Sequence, residues 1–83
     1  MPVPAISKRF GIAVRKHRIA VGITQEALAE RADLHATYVG MVERGIRNPT
    51  LDVAARIAKA LKLELPELIG EALPPRNARG RRQ

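Results

Sequence analysis

The fold is decided by residues 24–45, which read TQEALAERADLHATYVGMVERG. Thr24 is a favourable N-cap, and the acid that follows in the first turn suits the positive end of a helix. The spacing of apolar residues predicts one helix over about 25–31 and another over about 36–43. Between them Asp33 fits a turn, because Asp tolerates left-handed backbone geometry better than most residues.

The connection between these two helices is a turn of three residues, so the helices must cross steeply. A steep crossing needs close backbone approach, and the small side chain of Ala29 permits it. Leu28 faces inward from the first helix, and Val39 and Val42 face inward from the second. This apolar and turn pattern predicts the helix-turn-helix of DNA-binding proteins.

Outside this stretch, apolar residues recur every three or four positions, which predicts three further helices at about 5–20, 51–61 and 66–72. The core-facing stripe of the first helix is predicted to contain Ile6, Phe10, Ala13, Val14 and His17. The core-facing stripe of the fourth helix is predicted to contain Leu51, Ala54, Ile57, Ala58 and Leu61. No run has the alternation typical of strands. We therefore expect an all-α domain of five helices over residues 1–73, followed by a disordered basic tail over 74–83.

The charge balance favours a polyanionic partner. The chain has 83 residues, with 15 Lys and Arg against 8 Asp and Glu, a formal net charge of +7. Four of these bases, Arg76, Arg79, Arg81 and Arg82, lie in the predicted tail, where there is no acid. A small protein with such a balance is typical of nucleic-acid binding.

Several other classes of protein are disfavoured. The absence of Cys excludes disulfides and thiolate metal sites, and no apolar run is long enough to span a bilayer. We expect a cytoplasmic protein that does not associate with a membrane and that lies in the nucleoid when it is bound to DNA. His17 and His35 fall on different predicted elements without a carboxylate cluster, and no phosphate-binding glycine loop is present. The sequence therefore predicts no catalysis, no metal and no cofactor.

The predicted third helix has two unlike faces when its residues are spaced about 100° apart. Glu43 shares the inward face with the two valines, and the opposite face presents Thr37, Met41 and Arg44, flanked by Tyr38 and Gly40. Thr can bond base edges and Arg can hold backbone phosphate, so this face suits a major groove. In the alternative interpretation, Tyr38 and Met41 pack on a neighbouring helix or a protein partner.

These residues together resemble the phage-repressor-like helix-turn-helix regulators of the Cro/C1 or XRE type, over about residues 6–69. The resemblance rests on the runs Phe10–Arg18, Gly22–Ala29, Tyr38–Gly45, Arg47–Leu51 and Ile57–Leu61. It implies a lambda-repressor-like fold with the helix-turn-helix at helices two and three. Short members of this family include restriction–modification controller proteins and small repressors, and this chain is similar in size to both.

The resemblance also implies roles for single residues. Gln25 would lie against phosphate and brace the recognition helix. Base edges would be reached from Ala36, Thr37, Tyr38 and Met41, and the backbone would be held by Arg44, Arg47 and Asn48. The chain departs from the family pattern in and around the turn: Asp33 replaces the usual Gly, His35 a Ser or Thr cap, Gly40 a small polar residue, and Ala36 a longer polar one. Gly40 thus removes one possible contact with DNA.

A buried ion pair is expected between Arg18 and Glu43. A lone carboxylate on the inward face of helix three would be costly, and Arg18 ends the inward stripe of helix one. The family resemblance pairs these two positions. A bidentate pair would lock helix three against helix one.

The expected function is that of a sequence-specific transcriptional regulator. One recognition helix reads too few base pairs to define a genomic site, so we expect a homodimer on a palindromic operator in double-stranded DNA. Ile69 and Leu73 on the fifth helix are the predicted dimer contacts. Two alternatives remain open: a protein-interaction or antitoxin-type subunit with weak, non-specific DNA binding, and RNA binding through the arginine-rich tail.

Overall fold

The computed structural model describes residues 4–74, which contain five α-helices and no strand. The helices are α1 (Ala5–Val21), α2 (Gln25–Ala32), α3 (Ala36–Glu43), α4 (Leu51–Ala60) and α5 (Leu65–Ala72). The predicted all-α, five-helix fold is confirmed. Apart from Pro74, the predicted basic tail lies outside the described residues. None of the five helices is long and apolar enough to cross a membrane.

The ends of the helices follow from single residues. The Thr24 side chain accepts a hydrogen bond from the N–H of Ala27 at 3.0 Å, and Thr50 caps α4 in the same way from Val53 at 3.1 Å. α2 ends at Asp33, whose backbone is left-handed with φ 59° and ψ 52°. Each observed boundary lies within one residue of the predicted one.

The core lies at the centre of the five helices, where α1 packs on α3 and α5 while α2 packs on α3 and α4. Every helix contributes at least one fully buried side chain. The largest of these are Val14, Leu28, Val39, Val42, Ile57 and Leu68.

Two residues predicted for the core are exposed instead. Ile6 is 42% exposed, and the neighbouring Ser7 takes the buried position on α1. Leu51 is 78% exposed, because α4 begins there and its first turn extends past the core. Both side chains line a surface groove that also contains Ile69.

α1 and the end of α3 approach each other at two glycines. A Cβ at Gly11 would overlap the carbonyl oxygen of Val42 and lie 2.8 Å from that of Glu43. Gly45 follows α3 with a left-handed φ of 75°, and a Cβ there would lie 2.8 Å from the Cα of Lys8. α1 therefore supports α3 from behind by direct backbone contact.

Candidate nucleic-acid interface

The turn between α2 and α3 is held from two sides. The N–H of Leu34 donates to the carbonyl of Ala29 at 2.8 Å. From α4, Arg56 Nε donates to the carbonyl of Ala32 at 3.0 Å, and its Nη2 donates to that of Asp33. Arg56 and Asp52 form an i,i+4 ion pair at 3.1 Å, but their spacing in the sequence does not by itself predict the contact with the turn. The angle between the two helices is thus set partly by α4.

α3 depends on tertiary contacts for its position. Its N-cap, His35, makes no side-chain capping bond, and α3 has neither an acid in its first turn nor a base in its last. Val39 and Val42 are fully buried on its inner side. A helix of eight residues with these ends has little stability of its own.

Glu43 is the centre of a buried polar cluster behind α3. Arg18 reaches it with two bonds, Nε to Oε2 at 2.6 Å and Nη2 to Oε1 at 3.0 Å. Gln25 Nε2 donates to Oε1 at 3.0 Å, and Arg15 Nη1 lies 3.9 Å from the same oxygen. The Glu43 side chain is 2% exposed, so these contacts replace the water that the carboxylate has lost.

Arg18 is correspondingly held in its charged form. Its hydrogen bond to Glu43 raises the pKa of the guanidinium, although burial acts in the opposite direction. A further bond, from Nη1 to the carbonyl of Ile23 at 2.9 Å, ties Arg18 to the chain just before α2. One buried residue thus connects α1, the start of α2 and α3.

The outer side of α3 is polar and partly exposed. Thr37 and Arg44 are exposed, Met41 is half-buried, and Ala36 and Tyr38 are half-buried against the core. Gly40, predicted at the flank of this side, is buried. The heads of Arg44 and Gln25 lie close beside it, which explains its burial.

The loop after α3 carries the remaining predicted contact residues, Arg47 and Asn48, both exposed. The buried Ser7 hydroxyl donates to Asn48 Oδ1 at 2.9 Å, which anchors this loop on α1. That bond occupies the amide oxygen of Asn48 and leaves its N–H groups free of partners within residues 4–74. Arg44, Arg47 and Asn48 thus follow one another from the end of α3 as exposed hydrogen-bond donors.

The two histidines lie on different elements, His17 on α1 and His35 at the N-cap of α3. His17 is joined to Glu71 of α5 by a 2.7 Å hydrogen bond between Nε2 and Oε2, and Lys16 Nζ lies 3.3 Å from Oε1. The bond from His17 lowers the pKa of the Glu71 carboxyl. Across the described part of the chain, no three His, Cys, Asp or Glu residues are grouped as a metal site would need.

Comparison with known proteins agrees with this geometry. The model of the helix-turn-helix family HTH_3 matches residues 14–68. Control protein C.SmaI of Serratia marcescens is 46% identical over 56 residues, 68% of this chain and 67% of its own. Control protein C.BamHI of Bacillus amyloliquefaciens is 43% identical over 61 residues, 72% of this chain and 75% of its own. The crystal structure of the restriction–modification controller C.AhdI from Aeromonas hydrophila superposes with a TM-score of 0.76 at 43% identity, covering 78% of this chain and 98% of that one.

Proposed function

This chain belongs to the helix-turn-helix family of XRE-type transcriptional regulators, and from that premise we propose that it binds a palindromic operator as a homodimer. α3 enters the major groove of the duplex, in the cytoplasm, and no cofactor or catalytic step takes part. One observation carries the proposal: α3 is held from behind by the buried Arg18–Glu43 pair, so its polar outer side stays available to a duplex.

The residues of this surface divide by chemistry. Thr37 is exposed on the outer side of α3, and Ala36, Tyr38 and Met41 are half-buried beside it. These four residues are proposed to meet base edges. The exposed hydroxyl and methyl of Thr37 suit direct readout best. Gln25, Arg44, Arg47 and Asn48 are proposed to hold backbone phosphate, because their amide and guanidinium N–H groups are donors.

The homodimer is supported by an apolar groove outside the core. The groove encloses about 160 Å³ and is lined by Ile6, Leu51 and Ile69 among others. Leu73, the C-cap of α5, has an extended backbone and is 44% exposed. Apolar side chains gathered on one face of a small domain are typical of an interface. A second copy of the chain would cover them and bring a second recognition helix to the operator.

Sequence specificity can be tested by selecting sites from random duplexes. We expect enrichment of a two-fold symmetric sequence whose binding survives competition by unrelated duplex at roughly 200 mM salt. Affinity that is equal for all duplexes and lost by about 200 mM salt would contradict the proposal. That result would favour the protein-interaction alternative.

The dimer can be tested by sedimentation at micromolar concentrations. We expect Leu51→Glu to shift the protein toward the monomer, because a second copy that covers the groove would bury the new charge. Ile12→Glu is the matched control, since Ile12 is 65% exposed on α1 and does not line the groove. A wild-type monomer at high micromolar concentration would exclude this interface.

A further inference from the structure

We infer that Gly40 positions Arg44 beside the carbonyl oxygen of Gln25, which orients the guanidinium toward one phosphate of the bound duplex. This inference rests on the proposed function and deepens it. A Cβ built at Gly40 would lie 3.3 Å from Arg44 Nη1 and 3.4 Å from Gln25 Oε1. Both heads therefore occupy the space that a side chain at position 40 would take.

Helix geometry explains how Arg44 reaches this place. Side chains in a helix lean toward its N-terminus, so the residue at i+4 lies over residue i. Arg44 accordingly lies back over Gly40, and its guanidinium arrives beside the first residue of α2. Without a Cβ in between, the Arg44 guanidinium of α3, a donor, comes beside Gln25 Oε1 of α2, an acceptor, at one edge of the interface.

The two heads differ in how firmly they are held. Gln25 is fixed, because its Nε2 donates to the buried Glu43 at 3.0 Å. Arg44 is exposed, and no carboxylate of residues 4–74 pairs with it. An added methyl would therefore move Arg44 by a few tenths of an ångström or more, while Gln25 stays in place.

Gly40 has opposite consequences for folding and for binding. Glycine is the poorest helix former after proline, and α3 also lacks a side-chain cap. Gly40→Ala should therefore favour the helix while it displaces Arg44. A residue with a purely structural role would change stability and affinity in the same direction.

The experiment uses the full chain in four forms: wild type, Gly40→Ala, Arg44→Ala and the double variant. For each we would measure the melting temperature, the affinity for a selected duplex and its dependence on salt. We expect Gly40→Ala to melt at the same or a higher temperature but to bind roughly threefold to tenfold more weakly, with a salt slope reduced toward that of Arg44→Ala. In the Arg44→Ala background, adding Gly40→Ala should weaken the affinity for the duplex by less than about twofold.

Three results would overturn the inference. The first is wild-type affinity and salt slope in Gly40→Ala. The second is an equal loss of affinity when Gly40→Ala is added to the wild type and to Arg44→Ala, which would mean that the new methyl group contacts DNA directly. The third is an unfolded Gly40→Ala, because its close neighbours are flexible side-chain ends.

Failure of the proposed function has a different signature. In that case the wild type itself would bind all duplexes alike. The positioning of Arg44 by Gly40 would still be tested, because phosphate contacts also govern the salt slope of non-specific binding.

Discussion

Arg18 Nε donates to Glu43 Oε2 over 2.6 Å, and this contact joins α1 to α3 across 25 residues of sequence. Both side chains are nearly removed from solvent, with 11% and 2% exposed. The pair therefore orients the recognition helix without occupying any of its outer side.

Glu43→Gln should destabilise the protein by about 3 kcal/mol, because it leaves the buried Arg18 without a counter-charge. Thermal or urea unfolding measures the loss. Glu30→Gln is the matched control, an exposed carboxylate on α2, and should change stability by less than about 0.5 kcal/mol. An unchanged melting temperature in Glu43→Gln would show that the pair does not hold α3.

Gly11→Ala should be among the most damaging single-methyl additions, with a loss of about 3 kcal/mol. The new Cβ would overlap the carbonyl oxygen of Val42 and separate α1 from α3. Gly70→Ala adds the same methyl where nothing lies within 4 Å, and it should gain up to about 1 kcal/mol from helix propensity. Equal melting temperatures for the two variants would disprove the close contact.

Thr37→Ala and Arg44→Ala should weaken binding in different ways. Loss of the Arg44 guanidinium removes a phosphate contact, so all duplexes should weaken alike and the salt slope should fall by about 1. Loss of the Thr37 hydroxyl and methyl should relax preference at one base pair instead. Repeating site selection with each variant measures this, and the reverse pattern would show that the two roles are exchanged.

Glu71→Gln should make the free energy of unfolding less dependent on pH in the acid range. The hydrogen bond from His17 lowers the pKa of Glu71 in the folded protein, so the carboxylate stabilises the fold above its unfolded pKa. That contribution is lost as the pH falls through the lowered folded value. Because the Glu71 side chain is 37% exposed, the loss at neutral pH should stay under about 1 kcal/mol. Urea unfolding from about pH 7 to 3 measures it, and parallel curves for variant and wild type would refute it.

The parts of the fold that could be predicted from sequence depend on local chemistry. Thr24 and Thr50 cap helices in any context, and Asp33 can adopt the left-handed turn by itself. For this reason the helix boundaries and the turn follow from neighbouring residues alone. Between those boundaries, apolar residues that recur every three or four positions are enough to predict the five helices.

The wrong or missing parts depend on what lies across the core. Ile6 and Leu51 have the right spacing for burial, but no other part of residues 4–74 covers the groove that they line. The close approach at Gly11 and the contact from Arg56 to the turn join elements distant in sequence. From the sequence alone, Gly40 only removes a possible contact with DNA. The structure adds that the ends of the Arg44 and Gln25 side chains lie beside it.

A hydroxyl-radical footprint of the full chain on a selected duplex tests the central claim most directly. The account predicts two protected patches related by two-fold symmetry, with centres about 34 Å apart on one face of the duplex. It also predicts that both patches weaken together in Leu51→Glu. A single patch, or protection spread evenly along the duplex, would contradict the claim that two braced recognition helices meet one operator.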